Sequence, residues 1–156
     1  MNNRYNIRHY TVSIILEAFL LVFILSSYQQ QSFSQNETSI TTPPISIKTE
    51  NNAVAILVKW DSNLSPGTEI PFMIDFKHPF NDMNLQHVNY NLQLLDDNGT
   101  SVFSKENIHI HMGSDVQNIM IENHGKYTLV ITVLGTGINP PFDTTRSGVA
   151  KISFQM

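Results

Sequence analysis

From Ile45 onward the chain alternates apolar and polar residues with a period of two, and no long helical period interrupts it. A period of two sends successive side chains to opposite faces of an extended backbone, so each such segment has one apolar face to bury. Strands are accordingly expected over 45–49, 53–60, 68–76, 86–95, 100–105, 107–112, 116–122, 126–134 and 149–154. Turn signals separate them at Ser65-Pro66-Gly67, Asn98-Gly99, Gly113-Ser114-Asp115 and Asn123-His124-Gly125. Many short strands at regular spacing, with no helices between them, predict an all-β antiparallel sandwich of about 7–9 strands.

The N-terminal third follows a different pattern. Arg4, Arg8 and His9 precede an apolar run from Thr11 to Ser27, and a polar tract then leads to Ser32-Phe33-Ser34. This is the order of a secretory signal peptide, with cleavage expected before Gln35. The apolar run falls short of the roughly 20 residues of a spanning helix and contains Glu17. An uncleaved N-terminal anchor helix is the other reading. The division expected is therefore 1–34 signal peptide or signal anchor, 35–44 polar linker and 45–156 sandwich domain. Sequons at Asn36, Asn63 and Asn98 add weak support for export.

Composition narrows the partners. The chain has no cysteine, so an exported fold must rest on core packing without disulfides. Of 9 basic and 13 acidic residues, a cleaved leader removes Arg4, Arg8 and Glu17, leaving 7 and 12 and a net charge of −5. That balance argues against nucleic acid or anionic lipid as a partner. Membrane contact is expected only through the N-terminal segment, if it stays uncleaved.

The stretch HGKYTLVITVLG places Tyr127, Leu129, Ile131 and Val133 on one face behind a Gly-x-Tyr entry. In immunoglobulin-like (Ig-like) domains the penultimate strand begins this way, and the tyrosine hydroxyl bonds back to the preceding corner. Together QHVNY, HIHMG and GKYTLVITVLG, in this order behind a signal peptide, resemble uncharacterised exported Ig-like modules of ammonia-oxidising archaea. The resemblance spans roughly Pro66 to Met156. It implies an extracytoplasmic Ig-like sandwich and supplies no mechanism.

Candidate chemistry centres on ENIHIHMGSD, residues 106–115. Asn98-Gly99 signals a two-residue hairpin that pairs Asp97 with Thr100 and Leu94 with Phe103. Unbroken, that hairpin would turn Lys105 and His109 into the core beside Leu92 and Val88. A bulge at Glu106-Asn107 removes the conflict, because one extra residue reverses the faces beyond it. Ile108 and Ile110 then point inward, His109 comes opposite Asn89, and His111 opposite His87. Alternate residues on a strand lie about 6.6 Å apart and opposed ones about 5 Å. Three imidazoles can converge across those distances on one ion, with Met112 as an optional thioether, a donor set suited to copper or zinc. Without cysteine, a blue-copper centre of the His₂Cys kind is excluded. The same alternation also describes the wet face of an ordinary strand.

A second set of residues lies in the loops. KHPFNDMN carries His78 and Phe80, and GTGINPPFDTTRSG carries Pro140, Pro141 and Phe142. In an Ig-like order both loops fall at one end of the sandwich. Phe80 and Phe142 either form an apolar patch for a partner or fold back to plug the end of the core. No serine nucleophile motif, phosphate loop or zincin helix occurs, and DDNG lacks the alternating oxygen ligands of a calcium loop. The reading is an exported, non-enzymatic binding or scaffold module at the cell surface, its partner a surface protein or envelope component. The alternative is an extracytoplasmic copper- or zinc-binding protein using His87, His109, His111 and Met112.

Overall fold

Each alternating segment needs a second apolar face to cover its own, and two stacked sheets meet that need. The computed structural model describes residues 42–61, 63 and 65–156; the expected leader and most of the linker lie outside the described residues. Within them run β1 (Ile45–Lys48), β2 (Ala55–Lys59), β3 (Thr68–Lys77), β4 (Val88–Leu95), β5 (Ser101–Ile110), β6 (Ser114–Ile121), β7 (Lys126–Thr136) and β8 (Gly148–Gln155). One sheet has the order β1-β2-β3-β6 and the other β5-β4-β7-β8. All paired neighbours are antiparallel. The chain crosses between sheets after β3, after β5 and after β6, which gives the Ig-like sandwich expected from the pattern.

The inward faces are those the alternation marks. Ile56, Phe72, Ile74, Phe76 and Ile119 from the first sheet meet Tyr90, Leu92, Leu94, Leu129 and Ile131 from the second, all fully buried. Half-buried Trp60 packs at a tilt against Phe72 and Phe154, with ring centroids 5.4 and 5.1 Å apart. The Tyr127 hydroxyl donates to the Asn123 carbonyl at 2.8 Å, the corner bond that the Gly-x-Tyr entry implied. A second link crosses between the sheets: Tyr90 on β4 donates to Asp115 on β6 at 2.5 Å. Burial, then the hydrogen bond to Asp115 and its charge, push the Tyr90 phenol far above its ordinary range.

Two local expectations are corrected. Segments 100–105 and 107–112 are not separate strands but the two halves of one bulged strand, β5. The hairpin before it is not a two-residue turn pairing Asp97 with Thr100. Instead Asp96 donates its N–H to Thr100 at 2.9 Å, around a three-residue loop. A two-residue type I′ turn needs positive φ at both central residues, and here only Gly99 has it, at 79°. The Asp96 side chain accepts the N–H groups of Asn98 and Thr100 at 3.0 and 2.7 Å, which holds the wider loop. An irregularity between Leu94 and Leu95 then restores the expected pairs Leu94–Phe103 and Leu92–Lys105.

Candidate metal centre

The bulge decides where the histidines go. Leu92 pairs with Lys105 and Tyr90 with Ile108, so Glu106 and Asn107 together oppose the single residue Asn91. Asn107 takes φ 55°, a left-handed conformation that asparagine tolerates better than most residues. Its N–H, freed from the ladder, donates to the Asn91 side-chain oxygen at 2.8 Å. Beyond the bulge Ile108 and Ile110 enter the core, and His109 lies opposite Asn89 on the other face.

His87 and His111 meet at the strand ends. The His87 N–H donates to the His111 carbonyl at 3.1 Å, and the His87 carbonyl accepts from Gly137 N at 2.8 Å. His87 has φ 51°, a conformation uncommon for a residue with a side chain, and these bonds hold it there. After His111 the chain turns at Gly113, whose φ is 71°. Its carbonyl accepts from Phe76 N at 2.6 Å, and a Cβ there would strike the Leu85 carbonyl oxygen. Only glycine allows the crossing to β6 that leaves His111 at the edge of the group.

The three rings converge as the register implies. Their centroids lie 5.6 Å apart for His87–His109, 5.1 Å for His87–His111 and 4.9 Å for His109–His111. One nitrogen from each ring lies within 4.8 Å of the others. Nitrogens about 2.0–2.1 Å from a tetrahedral ion are roughly 3.3 Å apart, so ring movements on the order of an ångström close the site. His87 and His109 are half-buried and His111 is exposed. Nδ1 of His87 and Nε2 of His109 are buried without a hydrogen-bond partner, a condition native structures rarely leave unfilled. Nδ1 of His109 is engaged, 2.8 Å from Asn89 Oδ1. Three imidazoles without a thiol suit zinc or copper(II), and they leave a fourth position open. Met112 is 70% exposed at the next position in the chain.

The loop candidates separate from this group. His78 does not join it: Arg146 Nη2 donates to His78 Nε2 at 2.9 Å. That contact brings the 78–87 and 137–147 loops to one end of the sandwich, as an Ig-like order implies. The two phenylalanines do not act together as a plug. Phe80 is 83% exposed, with the His78 ring at 5.9 Å and Lys48 Nζ at 5.8 Å from its ring centroid. Phe142 is half-buried against Gly135 and Gly137, while Pro140 and Pro141 are exposed. Gly135 has no room for a side chain, because the Phe142–Asp143 backbone folds onto it and pairs with Thr136. Asp143 caps the following helical turn, and hydrogen bonds from Thr145 hold its carboxyl below the usual range. A cavity of 280 Å³ lined by Val102, Met120, Ile121, Glu122, Asn123 and Tyr127 shares no residue with the imidazole group.

Two contributors escaped the sequence reading, Asn89 and Arg146. Asn89 was legible only as the residue opposite His109; its low strand propensity is the one signal that marked it. Nothing along the chain pointed Arg146 at His78, 68 residues away.

No protein-family profile matches this chain, and no curated protein matches it. Among solved structures it is similar to the crystal structure of the β-glucuronidase of Parabacteroides merdae with glycerol in its active site. The two share 18% identity and a TM-score of 0.40, over 64% of this chain and 13% of the enzyme. A likeness of that size transfers no activity.

Proposed function

We propose that this protein is an extracytoplasmic β-sandwich that binds a transition-metal ion, copper or zinc, through His87, His109 and His111. One observation carries the reading: three imidazoles present nitrogens within 4.8 Å of one another, and two of the three rings have a buried nitrogen with no partner. A chance cluster of surface histidines would turn its nitrogens to water. Here the strand register, the bulge and a strained His87 backbone all hold the rings together. Among the described residues no carboxylate or further imidazole joins the group. The fourth position is left to water, an exogenous ligand or Met112. The reading is of metal binding.

Titration of the purified protein with zinc and with copper(II), followed by calorimetry, tests this. The wild type should bind one ion per chain, and replacing His109 and His111 together by alanine should abolish binding. Equal affinity in the two proteins would end the metal reading.

The scaffold reading rests on a different observation, the 83% exposure of Phe80 beside Lys48 and His78. A Phe80→Ala variant that keeps its metal but leaves the envelope fraction, where the wild type is retained, would favour docking through that loop. Unchanged retention would remove it.

A further inference from the structure

Asn89 is 5% exposed on the otherwise wet face of β4, a costly place for an amide unless every polar atom is paired. It is fully paired. Asn89 Nδ2 lies 2.8 Å from the Gly137 carbonyl and 3.2 Å from the His87 carbonyl. Two carbonyl oxygens can only accept, so the amide nitrogen must face them, and Oδ1 must face His109. Since Oδ1 only accepts, His109 Nδ1, at 2.8 Å, must donate. In its neutral form His109 therefore carries its proton on Nδ1 and a lone pair on Nε2. That is the buried nitrogen that has no partner within the protein.

From these contacts we infer that Asn89 is the positioning residue of the metal site, and that it assigns Nε2 of His109 as the coordinating atom. The inference rests on the metal reading above and specifies its coordination. The amide acts on two ligands at once. Through Oδ1 it sets the tautomer and ring orientation of His109. Through Nδ2 it ties the His87 backbone to Gly137, and so fixes the strained turn that aims His87. A histidine ligand whose other ring nitrogen donates to an oxygen is the usual outer arrangement of protein metal sites. In this chain a neutral amide takes the place more often filled by a carboxylate or a backbone carbonyl. Its burial keeps water from competing for Nδ1.

Two variants separate positioning from simple support. Asn89→Asp keeps an acceptor for His109 and loses the amide donors; Asn89→Leu keeps the size and loses both. Zinc is the probe, because it is diamagnetic and allows nitrogen NMR of the imidazoles. In the metal-free wild type, His109 should show a protonated Nδ1 and an unprotonated Nε2, and zinc should shift the Nε2 resonance. Zinc affinity should fall about 10–100-fold in Asn89→Leu, the usual cost of losing an outer partner. Asn89→Asp should stay closer to wild type. A neutral His109 that carries its proton on Nε2 in the metal-free wild type overturns the inference, whatever the affinity. So do equal losses of affinity in the two variants, which would make Asn89 a structural support only. A wild type with the expected tautomer but no zinc binding overturns the metal reading instead, and the role of Asn89 in it.

Discussion

Asn91 accepts the backbone N–H of Asn107 at 2.8 Å, and this bond closes the bulge that turns His109 out of the core. Two residues facing one on β4 would leave a donor unpaired without it. The side chain of Asn91 therefore supports the bulge that leaves the imidazoles on the outer face of the sheet.

A substitution at the bulge tests that link. Asn107→Val puts a β-branched residue at φ 55° and should cost about 1–2 kcal/mol, whereas Asn107→Gly should stay near wild type. Inserting one alanine after Asn107 instead shifts the register by one residue, brings His109 opposite Val88 and drives it toward the core. That variant should be strongly destabilised or fail to fold. Denaturant melts of the three proteins give the comparison, and a stable insertion variant with unaltered metal binding would refute the register argument.

In the core, Leu129 and Ile131 are fully buried on β7. Replacing either with alanine should destabilise the fold by about 2–5 kcal/mol, from lost transfer energy and the cavity left behind. His111, exposed at the sheet edge, should cost less than about 0.5 kcal/mol when replaced by glutamine. Equilibrium unfolding should rank the three in that order.

Tyr90 predicts an alkaline limit. Its folded phenol ionises well above the ordinary value of 10.0, through burial first and then Asp115. The unfolded chain therefore loses this proton first. The contribution is fully present below about pH 10 and declines as the pH rises beyond it. Tyr127 is displaced in the same direction, by burial and then by Asp96 and Asp97. Tyr90→Phe should flatten the decline in part and lower stability at pH 7 by about 1–3 kcal/mol, the range for a buried bond to a charged group. Unfolding free energies measured from pH 7 to 11 should show the two curves converging. Parallel curves would contradict the assignment.

Export is tested directly on the protein from its native cells. Mass spectrometry should find a mature N-terminus near Gln35, from the small-x-small site after the apolar run. Recovery of chains that begin at Met1 or Asn2 from the membrane fraction would replace secretion with anchoring.

The sequence by itself determined most of the strand segments and which faces turn inward. It offered a bulge at Glu106-Asn107 as the way to keep His109 out of the core, and it divided β5 into two strands. Those features are local: period two sets the faces, and an apolar face directed at water is too costly to keep. Because register follows from them, His87, His109 and His111 were legible as one group before any coordinate. The hairpin was less so, since Asn98-Gly99 fits two loop lengths and the Asp96 side chain selected the longer. Tertiary structure alone decided the rest. Asn89 became a buried, fully bonded amide only when Gly137, 48 residues away, folded against it. Phe80 stayed in water while Phe142 packed on Gly135 and Gly137, although both stand beside proline in similar loops. Alternation says which side of a strand a residue takes; which distant backbone closes over that side depends on how the loops cross, and no local pattern encodes it.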